Sequence, residues 1–257
     1  MNAHWVDRLA AYLRYHDLPG ADPAVVFLHG LGSASSSYFL RAAVYPRLRD
    51  SRRLLIDLLG FGYSDRPRDF DYTMEAQAAL VVGLLCDLGI SDCTLVGHSM
   101  GGSIAILVAT AAPGIVGRVV VAEGNLDPGP GMLSGPITSW TEREFAAAGH
   151  RQLIEQVRGA ALPDFAGTLQ ACDPIALHRS AVSLIASRRP TYREQLARLT
   201  LARTFIYGDK NVPNPNVDRL IADGVVVRVL AGSGHDMLVD NPDGFAEIVA
   251  DAVEPGS

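Results

Sequence analysis

The sequence places a serine between glycines in the stretch "LVGHSMGGS", which runs from Leu95 to Ser103. The pattern Gly-x-Ser-x-Gly is short and recurs by chance, so its context decides what it means. Here it follows an apolar run typical of a strand and precedes apolar residues at helical spacing. A strand–turn–helix of this kind strains the serine backbone and exposes its hydroxyl. We therefore interpret Ser99 as a nucleophile rather than as a helix-capping serine.

A serine hydroxyl is a weak nucleophile and needs a base that removes its proton. Among the seven histidines, His235 lies in "AGSGHDM", directly after the last predicted strand. Sites in open α/β sheets form at the carboxyl ends of the strands, where such a loop meets the serine. His98 is adjacent to Ser99, but we expect the tight turn to direct it elsewhere, and His178 falls in a predicted helix. The sequence thus predicts His235 as the base.

Six short apolar runs predict the strands that position these residues. They are rich in β-branched residues, as is typical of strands buried on both faces. Residues 12–20 predict a further, antiparallel strand, and residues 73–89 and 99–112 have the apolar spacing of helices. Alternating strands and helices indicate the α/β class, with a mainly parallel sheet flanked by helices. The six runs are residues 24–29, 52–57, 93–97, 118–123, 203–208 and 225–232.

Residues 124–200 interrupt this alternation. The segment opens with "GNLDPGPGMLSGP", which is rich in Gly and Pro and predicts a loop. Only helical patterns follow, and the spacing of Thr141 and Glu144 fits a capping box. We expect a core of residues 1–123 and 201–257, with residues 124–200 as a small helical cap inserted between two strands. The helical patterns cover residues 141–149, 151–162, 173–188 and 191–199.

Composition and charge exclude several classes of protein. The chain is 48% hydrophobic and 19% charged with a net charge of −6, which fits a globular enzyme and lacks the basic footprint of a nucleic-acid binder. Three cysteines without repeated spacing predict neither a disulfide framework nor a zinc site. No signal-peptide pattern or membrane-length apolar run is present. We expect a cytoplasmic monomer or homodimer that acts on a small molecule, with no nucleic-acid or membrane partner.

No motif for a metal ion or cofactor stands out. The sequence has no P-loop, no HExxH pattern and no paired cysteines, so we predict no cofactor and no metal site. The stretch "GLGSAS" at residues 30–35 follows a predicted strand, and Asp57 ends the next one. This is close to a dinucleotide fingerprint, but a serine stands at the third glycine. The oxidoreductase that it would indicate leaves Ser99 and His235 without a role.

Four motifs together resemble the α/β-hydrolase family, and they span most of the chain. The resemblance implies a mainly parallel sheet of the eight-stranded type with a cap, as the periodicity also indicates. It further implies an oxyanion hole formed by the backbone N–H groups of Leu31 and Met100. The motifs are "FLHGLGSASSSY" from Phe27, "DLLGFGYSDRP" from Asp57, "GHSMGG" from Gly97 and "GSGH" ending at His235.

The acid of the family's catalytic triad is missing from its usual position. That acid follows the fifth predicted strand in a G-x-x-D pattern, where this chain has Asn211. Losing a triad carboxylate to an amide can cost about 10⁴-fold in turnover. We favour Glu123 as the acid, since some haloalkane dehalogenases and lactone hydrolases of this fold use a glutamate from that strand end. Asp209 stays open as an alternative, and the other nearby carboxylates are Asp127 and Asp236.

The type of nucleophile limits the reaction. A serine rather than an aspartate at residue 99 argues against epoxide hydrolysis and dehalogenation, and implies acyl transfer through an acyl-enzyme. A carboxylic ester or lactone is the simplest substrate. Carbon–carbon bond hydrolysis on the same triad and a ligand receptor with little turnover are the alternatives. We predict that Gly30, Trp140 and Leu133 bind a small to mid-sized, moderately apolar substrate.

Overall fold

A computed structural model of the chain describes residues 1–160, 162–211, 214 and 216–254. Residue 161 of the predicted helix 151–162 and residues 212, 213, 215 and 255–257 of the predicted core lie outside the described residues. An eight-stranded sheet lies at the centre of the described fold. Its strands are β1 (Asn2–Val6), β2 (Ala11–Leu18), β3 (Ala21–Leu28), β4 (Ser51–Asp57), β5 (Cys93–His98), β6 (Val116–Ala122), β7 (Ala202–Gly208) and β8 (Val226–Leu230).

The strands lie in the order β1-β2-β4-β3-β5-β6-β7-β8. β2 runs antiparallel to both β1 and β4, and every other neighbouring pair is parallel. The prediction of a mainly parallel sheet is confirmed, and β2 is the antiparallel strand that residues 12–20 indicate. β1 has no counterpart among the sequence predictions. Only Val6 of this edge strand is buried, so its apolar pattern is too weak to be recognised.

Helices cover both faces of the sheet. The helix predicted over residues 73–89 is present as α3, and the hydroxyl of Thr73 caps it by accepting a hydrogen bond from the N–H of Ala76. No helix in the described part of the chain is long and apolar enough to cross a membrane. The helices are α1 (Ser35–Tyr38), α2 (Leu40–Ala43), α3 (Met74–Asp87), α4 (Met100–Ala111), α5 (Ser134–Thr138), α6 (Glu142–Glu144), α7 (His150–Gly159), α8 (Pro163–Ala171), α9 (Pro174–Ile185), α10 (Tyr192–Arg198), α11 (Val217–Ala222), α12 (Met237–Asp240) and α13 (Pro242–Val253).

The central strands separate two hydrophobic clusters, because successive side chains of a strand point to opposite faces. Leu95 of β5 belongs to the cluster that includes α3 and α4. The next residue, Val96, belongs to the cluster that includes Phe39 and Phe245 of the other face. Burial on both sides accounts for the continuous apolar runs that predict these strands.

The segment between β6 and β7 contains α5 to α10, together with a π-helical turn, Phe145–Gly149. The capping box predicted at Thr141 is present, with both hydrogen bonds to Glu144. The predicted loop over residues 124–136 is wrong at its end, because α5 begins at Ser134. Pro136 falls in the first turn of this helix, where its missing N–H has no helical partner to lose. α8 was not predicted, since Gly167 weakens its helical pattern.

The first turn of α4 lies so close to β3 that residue 101 must be glycine. A Cβ added at Gly101 would lie 2.1 Å from the carbonyl oxygen of Leu28, which is held in the sheet. We expect Gly101→Ala to lower the free energy of unfolding by at least about 2 kcal/mol, because the backbone has to shift. Urea unfolding measures this loss.

A second helical glycine supplies the control. Nothing lies within 4 Å of a Cβ added at Gly83, in the middle of α3. Gly83→Ala should therefore raise the free energy of unfolding by about 1 kcal/mol, as alanine favours a helix over glycine. If Gly101→Ala were as well tolerated, the contact between α4 and β3 would be looser than described.

Candidate active site

Ser99 occupies a sharp turn between the end of β5 and the start of α4. Its φ of 52° and ψ of −119° are rare for a residue with a side chain. Two backbone bonds hold this conformation: the Ser99 N–H donates to the carbonyl of Ala122 at 2.8 Å, and the Gly102 N–H donates to the carbonyl of Ser99 at 2.9 Å. The strained conformation predicted from the motif is thus present, and the side chain is half-buried.

The loop after β3 approaches this turn closely. A Cβ added at Gly30 would lie 3.2 Å from the Cβ of Ser99, so a side chain here would be tightly packed against the serine. Leu31 follows in the same loop and is buried. Met100 opens α4, so its N–H is one of the donors that have no acceptor within a helix. The start of a helix also favours negative charge, as in an oxyanion.

His29 fixes the orientation of the peptide between Gly30 and Leu31. The backbone N–H of Leu58 donates to its Nε2 at 3.1 Å, so Nδ1 carries the proton and donates to the carbonyl of Gly30 at 2.8 Å. In a planar trans peptide the N–H points away from that carbonyl, so this bond sets the direction of the Leu31 N–H. Burial is the main cause that lowers the pKa of His29, which keeps the ring neutral.

Glu123 follows the end of β6 in a left-handed conformation, with a φ of 47°. Its N–H donates to the carbonyl of Ile206 at 2.9 Å. Its carboxylate Oε1 accepts hydrogen bonds from the N–H of Gly208 at 3.1 Å and from Nδ2 of Asn211 at 2.8 Å. Its Oε2 lies 3.9 Å from Nδ1 of His235, within ion-pair range but longer than a hydrogen bond.

The Glu123 carboxylate is anchored yet keeps one oxygen directed at the histidine. The side chain is only 13% exposed, and this burial raises its pKa. The His235 imidazole, the Asn211 amide and the Gly208 N–H lower the pKa and together prevail. The net pKa is below the ordinary value, so the group is a carboxylate at neutral pH. The carboxylate can accept a hydrogen bond from a protonated Nδ1 of His235 and stabilise the positive charge of the imidazolium.

Asn211 stands where the family has its acid, and here it supports another residue's carboxylate. A neutral amide can donate a hydrogen bond to Glu123, whereas a carboxylate at the same place would repel it. The departure from the family pattern is therefore consistent with an acid that follows β6 instead of β7. From the sequence alone Asn211 marks only the absence of the usual acid, because its contact with Glu123 joins two segments distant in the chain.

We expect Asn211→Asp to move the acid limb of the activity profile to higher pH by about one unit. The substitution removes a hydrogen bond that lowers the pKa of Glu123 and adds a negative charge beside it. Both changes raise the pKa of Glu123. As the pH is lowered, its carboxylate is therefore protonated, and loses its charge, at a higher pH than in the wild-type protein. The pH dependence of serine labelling or turnover measures the shift. An unchanged or more acidic limb would show that Asn211 does not act on Glu123.

Asp209, the alternative acid, binds the backbone of the histidine loop, which is the segment after β8 that carries His235. One of its carboxylate oxygens accepts the N–H of Gly232 at 2.8 Å, and the other accepts the N–H of Ser233 at 3.1 Å. These bonds hold the turn that precedes His235. This carboxylate therefore has a structural use, while Glu123 is the one that faces the imidazole.

The other nearby carboxylates have different surroundings. Asp127, which the sequence suggests is a turn residue, forms an ion pair with the buried Arg193 of α10. Burial raises the pKa of Asp236, which lies between His235 and the first residue of α12. Among the described residues, no group of three or more His, Cys, Asp or Glu side chains is placed to hold a metal ion.

The three predicted substrate-binding residues lie in different surroundings. Gly30 adjoins Ser99, as described above. Leu133 lies over the same loop, since a Cβ added at Gly32 would lie 3.4 Å from its Cδ2. Trp140 lines a cavity of about 180 Å³ whose other lining residues also lie between residues 136 and 156, and its carbonyl accepts a hydrogen bond from His178. These contacts of Trp140 are with the inserted segment rather than with Ser99 or His235.

His98, which the sequence predicts to be directed elsewhere than Ser99, has its Nε2 2.8 Å from the backbone carbonyl oxygen of His235. This contact with the loop of His235 is not predicted from the sequence. The direction of a side chain on a strained turn depends on loops distant in sequence, so no local pattern predicts it.

Comparison with known proteins identifies the family. The model of the alpha/beta hydrolase family matches residues 25–248, which is most of the chain. The chain belongs to this family.

Several relatives and solved structures are similar to the chain. An uncharacterized hydrolase, YugF, from Bacillus subtilis (strain 168) is 29% identical, over 97% of this chain and 96% of YugF. A 2-hydroxymuconate semialdehyde hydrolase from Pseudomonas sp. (strain CF600) is 32% identical, over 72% of this chain and 60% of that protein. The structure of an enol-lactonase from Burkholderia xenovorans LB400 superposes with a TM-score of 0.81 at 19% identity, covering 98% of this chain and 99% of that one. The similarity to this structure, at 19% identity, shows that the two chains share a fold.

Proposed function

We propose that this chain is a serine hydrolase that cleaves a carboxylic ester or lactone through an acyl-enzyme. Ser99 is the nucleophile, His235 the base and Glu123 the acid of the triad. The backbone N–H groups of Leu31 and Met100 form the oxyanion hole. The order serine, acid, histidine along the chain agrees with the order found in this fold.

The position of the Glu123 carboxylate carries this proposal. It is a buried acid that faces Nδ1 of His235, and its other oxygen is held by Asn211 and Gly208. A buried carboxylate is costly without a partner, and the charge that forms on the imidazole during catalysis supplies one. The strained Ser99 at the start of α4 completes the arrangement expected for acyl transfer.

The proposed reaction has two halves. Ser99 Oγ attacks the carbonyl carbon while His235 takes its proton, and the oxygen that becomes negative is bound by the two N–H groups. His235 then gives the proton to the leaving alkoxide, which leaves the acyl group on Ser99. Water attacks this acyl-enzyme as His235 accepts a proton from it, and the same proton returns to Ser99 when the acid is released. Loss of one oxyanion donor typically costs about 2.7–4 kcal/mol of barrier.

We further propose that residues 124–200 form a cap over the site. Leu133, Phe165 and Leu169 lie against the loop of the oxyanion hole, at Gly32. Apolar side chains at this place suit a small to mid-sized substrate with an apolar acyl group. The sequence also predicts that Trp140 binds substrate. Because Trp140 lines a cavity within residues 136–156, we propose instead that it packs within this segment.

Hydrolysis of a carbon–carbon bond is the second candidate. The similarity to a 2-hydroxymuconate semialdehyde hydrolase over 72% of this chain favours it. The same serine, histidine and glutamate would serve, since the carbonyl carbon is again the point of attack. The enol-lactonase with a similar fold makes lactones equally worth testing.

The test is a panel of three substrate types, assayed with wild-type protein. We expect turnover of short-chain aryl esters or of γ-lactones, and a covalent acyl adduct on Ser99 when the reaction is quenched early. Turnover restricted to 2-hydroxymuconate semialdehyde, the third substrate type, would favour carbon–carbon bond hydrolysis. Tight binding of a lactone with no turnover would instead indicate a ligand receptor and contradict the proposed hydrolase.

A further inference from the structure

A buried histidine outside the proposed triad joins the parts of the site. His98 ends β5 and is almost completely inaccessible to solvent. Its Nε2 lies 2.8 Å from the carbonyl oxygen of His235, and the two imidazole rings are 4.9 Å apart between centroids. The ring of Tyr38 packs against it, also at 4.9 Å between centroids, and the Tyr38 hydroxyl lies 3.4 Å from the same Nε2, farther than the His235 carbonyl.

The protonation of His98 follows from its partner. A carbonyl oxygen only accepts hydrogen bonds, so Nε2 must carry a proton and donate it to His235. Burial, followed by the nearby His235, lowers the pKa of His98 to about 3. The ring is therefore neutral at neutral pH, with its proton on Nε2.

The other side of the ring faces the loop of the oxyanion hole. A Cβ added at Gly30 would lie 3.1 Å from Nδ1 of His98 and 3.2 Å from the Cβ of Ser99. His98 thus lies between two loops, with Gly30 on one side and His235 on the other. Since it precedes Ser99 in the chain, it connects both loops directly to the turn that holds the serine.

The other hydrogen bonds of the histidine loop described above do not connect it to the turn of Ser99. Asp209 holds Gly232 and Ser233, which precede the histidine. The N–H of Met237 also donates to the His235 carbonyl, at 3.0 Å, but it belongs to the same loop and moves with it. His98, in contrast, ties this carbonyl to a central strand of the sheet.

We propose that His98 is a positioning residue, whose Nε2–H holds the backbone of His235 so that its imidazole is correctly placed between Ser99 and Glu123. The inference rests on the proposed function, because it assigns a role to His98 within that triad. A misplacement of about 1 Å can cost about 100-fold in rate, so one hydrogen bond at this point has a large effect.

A matched pair of substitutions separates the hydrogen bond from the packing. Glutamine carries its amide nitrogen about as far from the backbone as histidine carries Nε2, whereas asparagine reaches only about as far as Nδ1. We expect His98→Gln to be labelled by a fluorophosphonate within about tenfold of the wild-type rate. We expect His98→Asn to be labelled about 100-fold more slowly. Labelling rates over a range of pH and thermal unfolding are measured for both variants.

The comparison can overturn the inference in two ways. Equal labelling rates for the two variants would show that the N–H donor at the Nε2 position is not needed. A slow His98→Asn whose rate merely follows its loss of stability would show that His98 acts on folding alone.

Nitrogen-15 NMR of histidine-labelled wild-type protein keeps this inference separate from the proposed function. We expect His98 to stay neutral with its proton on Nε2 between about pH 5 and 9, where an ordinary histidine titrates. A proton on Nδ1, or titration within that range, would contradict the inference even if Ser99 is labelled. Absence of labelling with the expected tautomer would contradict the proposed hydrolase and leave the bond to His235 supported.

Discussion

Replacing Ser99 with alanine is expected to reduce turnover of the best ester or lactone by about 10⁶-fold, down to the rate given by binding alone. The reason is that the proposed covalent step has no substitute nucleophile at this turn. The measurement is kcat on purified protein, with the acyl adduct followed by intact mass. The fold should be retained, because alanine is smaller than serine and the side chain of Ser99 is half-buried.

Ser103 supplies a matched control within the same helix. Its hydroxyl donates to the carbonyl of Asn125 at 2.9 Å, away from the proposed chemistry. Ser103→Ala should change kcat by less than about tenfold while losing about 1 kcal/mol of stability with its hydrogen bond. Comparable losses of turnover in the two variants would mean that α4 as a whole, rather than the Ser99 hydroxyl, is what activity requires.

The second large effect concerns the acid. Glu123→Gln is expected to lower kcat by about 10⁴-fold with little change in KM, since an amide keeps the shape of the side chain but removes its charge. Glutamine would still contact Asn211 and Gly208, so the site keeps its architecture. Steady-state kinetics with the substrate identified in the panel measures the loss.

Asp209→Asn tests the alternative acid in the same assay. Its carboxylate accepts two loop N–H groups, and an asparagine oxygen still accepts one of them, so we expect a loss within about tenfold. If Glu123 is the acid of the triad, Glu123→Gln should lower kcat more than Asp209→Asn does. The reverse order, with Asp209→Asn the more damaging change, would move the acid of the triad to the loop after β7.

The sheet could be predicted largely from the sequence because most of its strands are buried on both faces. The runs that predict β3 to β7 place most of their apolar residues in the two clusters. β8 is an edge strand with exposed valines, and its run of β-branched residues predicts it. β1 and α8 are not predicted, for two different reasons. β1 is an exposed edge strand with a weak apolar pattern, and Gly167 weakens the helical pattern of α8. α5 was missed because Gly and Pro residues precede it and Pro136 lies within its first turn.

The candidate site was predictable where a motif carries the chemistry. Ser99 and His235 follow from strand ends and turn residues that can be read locally, and the strained φ of Ser99 agrees with this reading. The contact between Asn211 and Glu123 joins positions 88 residues apart. The bond from His98 to His235 joins positions 137 residues apart. Pairings of this kind depend on the order of strands in the sheet, so no local pattern in a single sequence shows them.

Intact mass after exposure to a fluorophosphonate is the measurement that tests the activated serine most directly. The account predicts a single adduct on the wild-type protein and none on Ser99→Ala, because only a serine with a base beside it reacts readily. Glu123→Gln should give the same adduct far more slowly. A folded wild-type protein without an adduct, or an adduct that persists in Ser99→Ala, would contradict the assignment of Ser99 as the nucleophile.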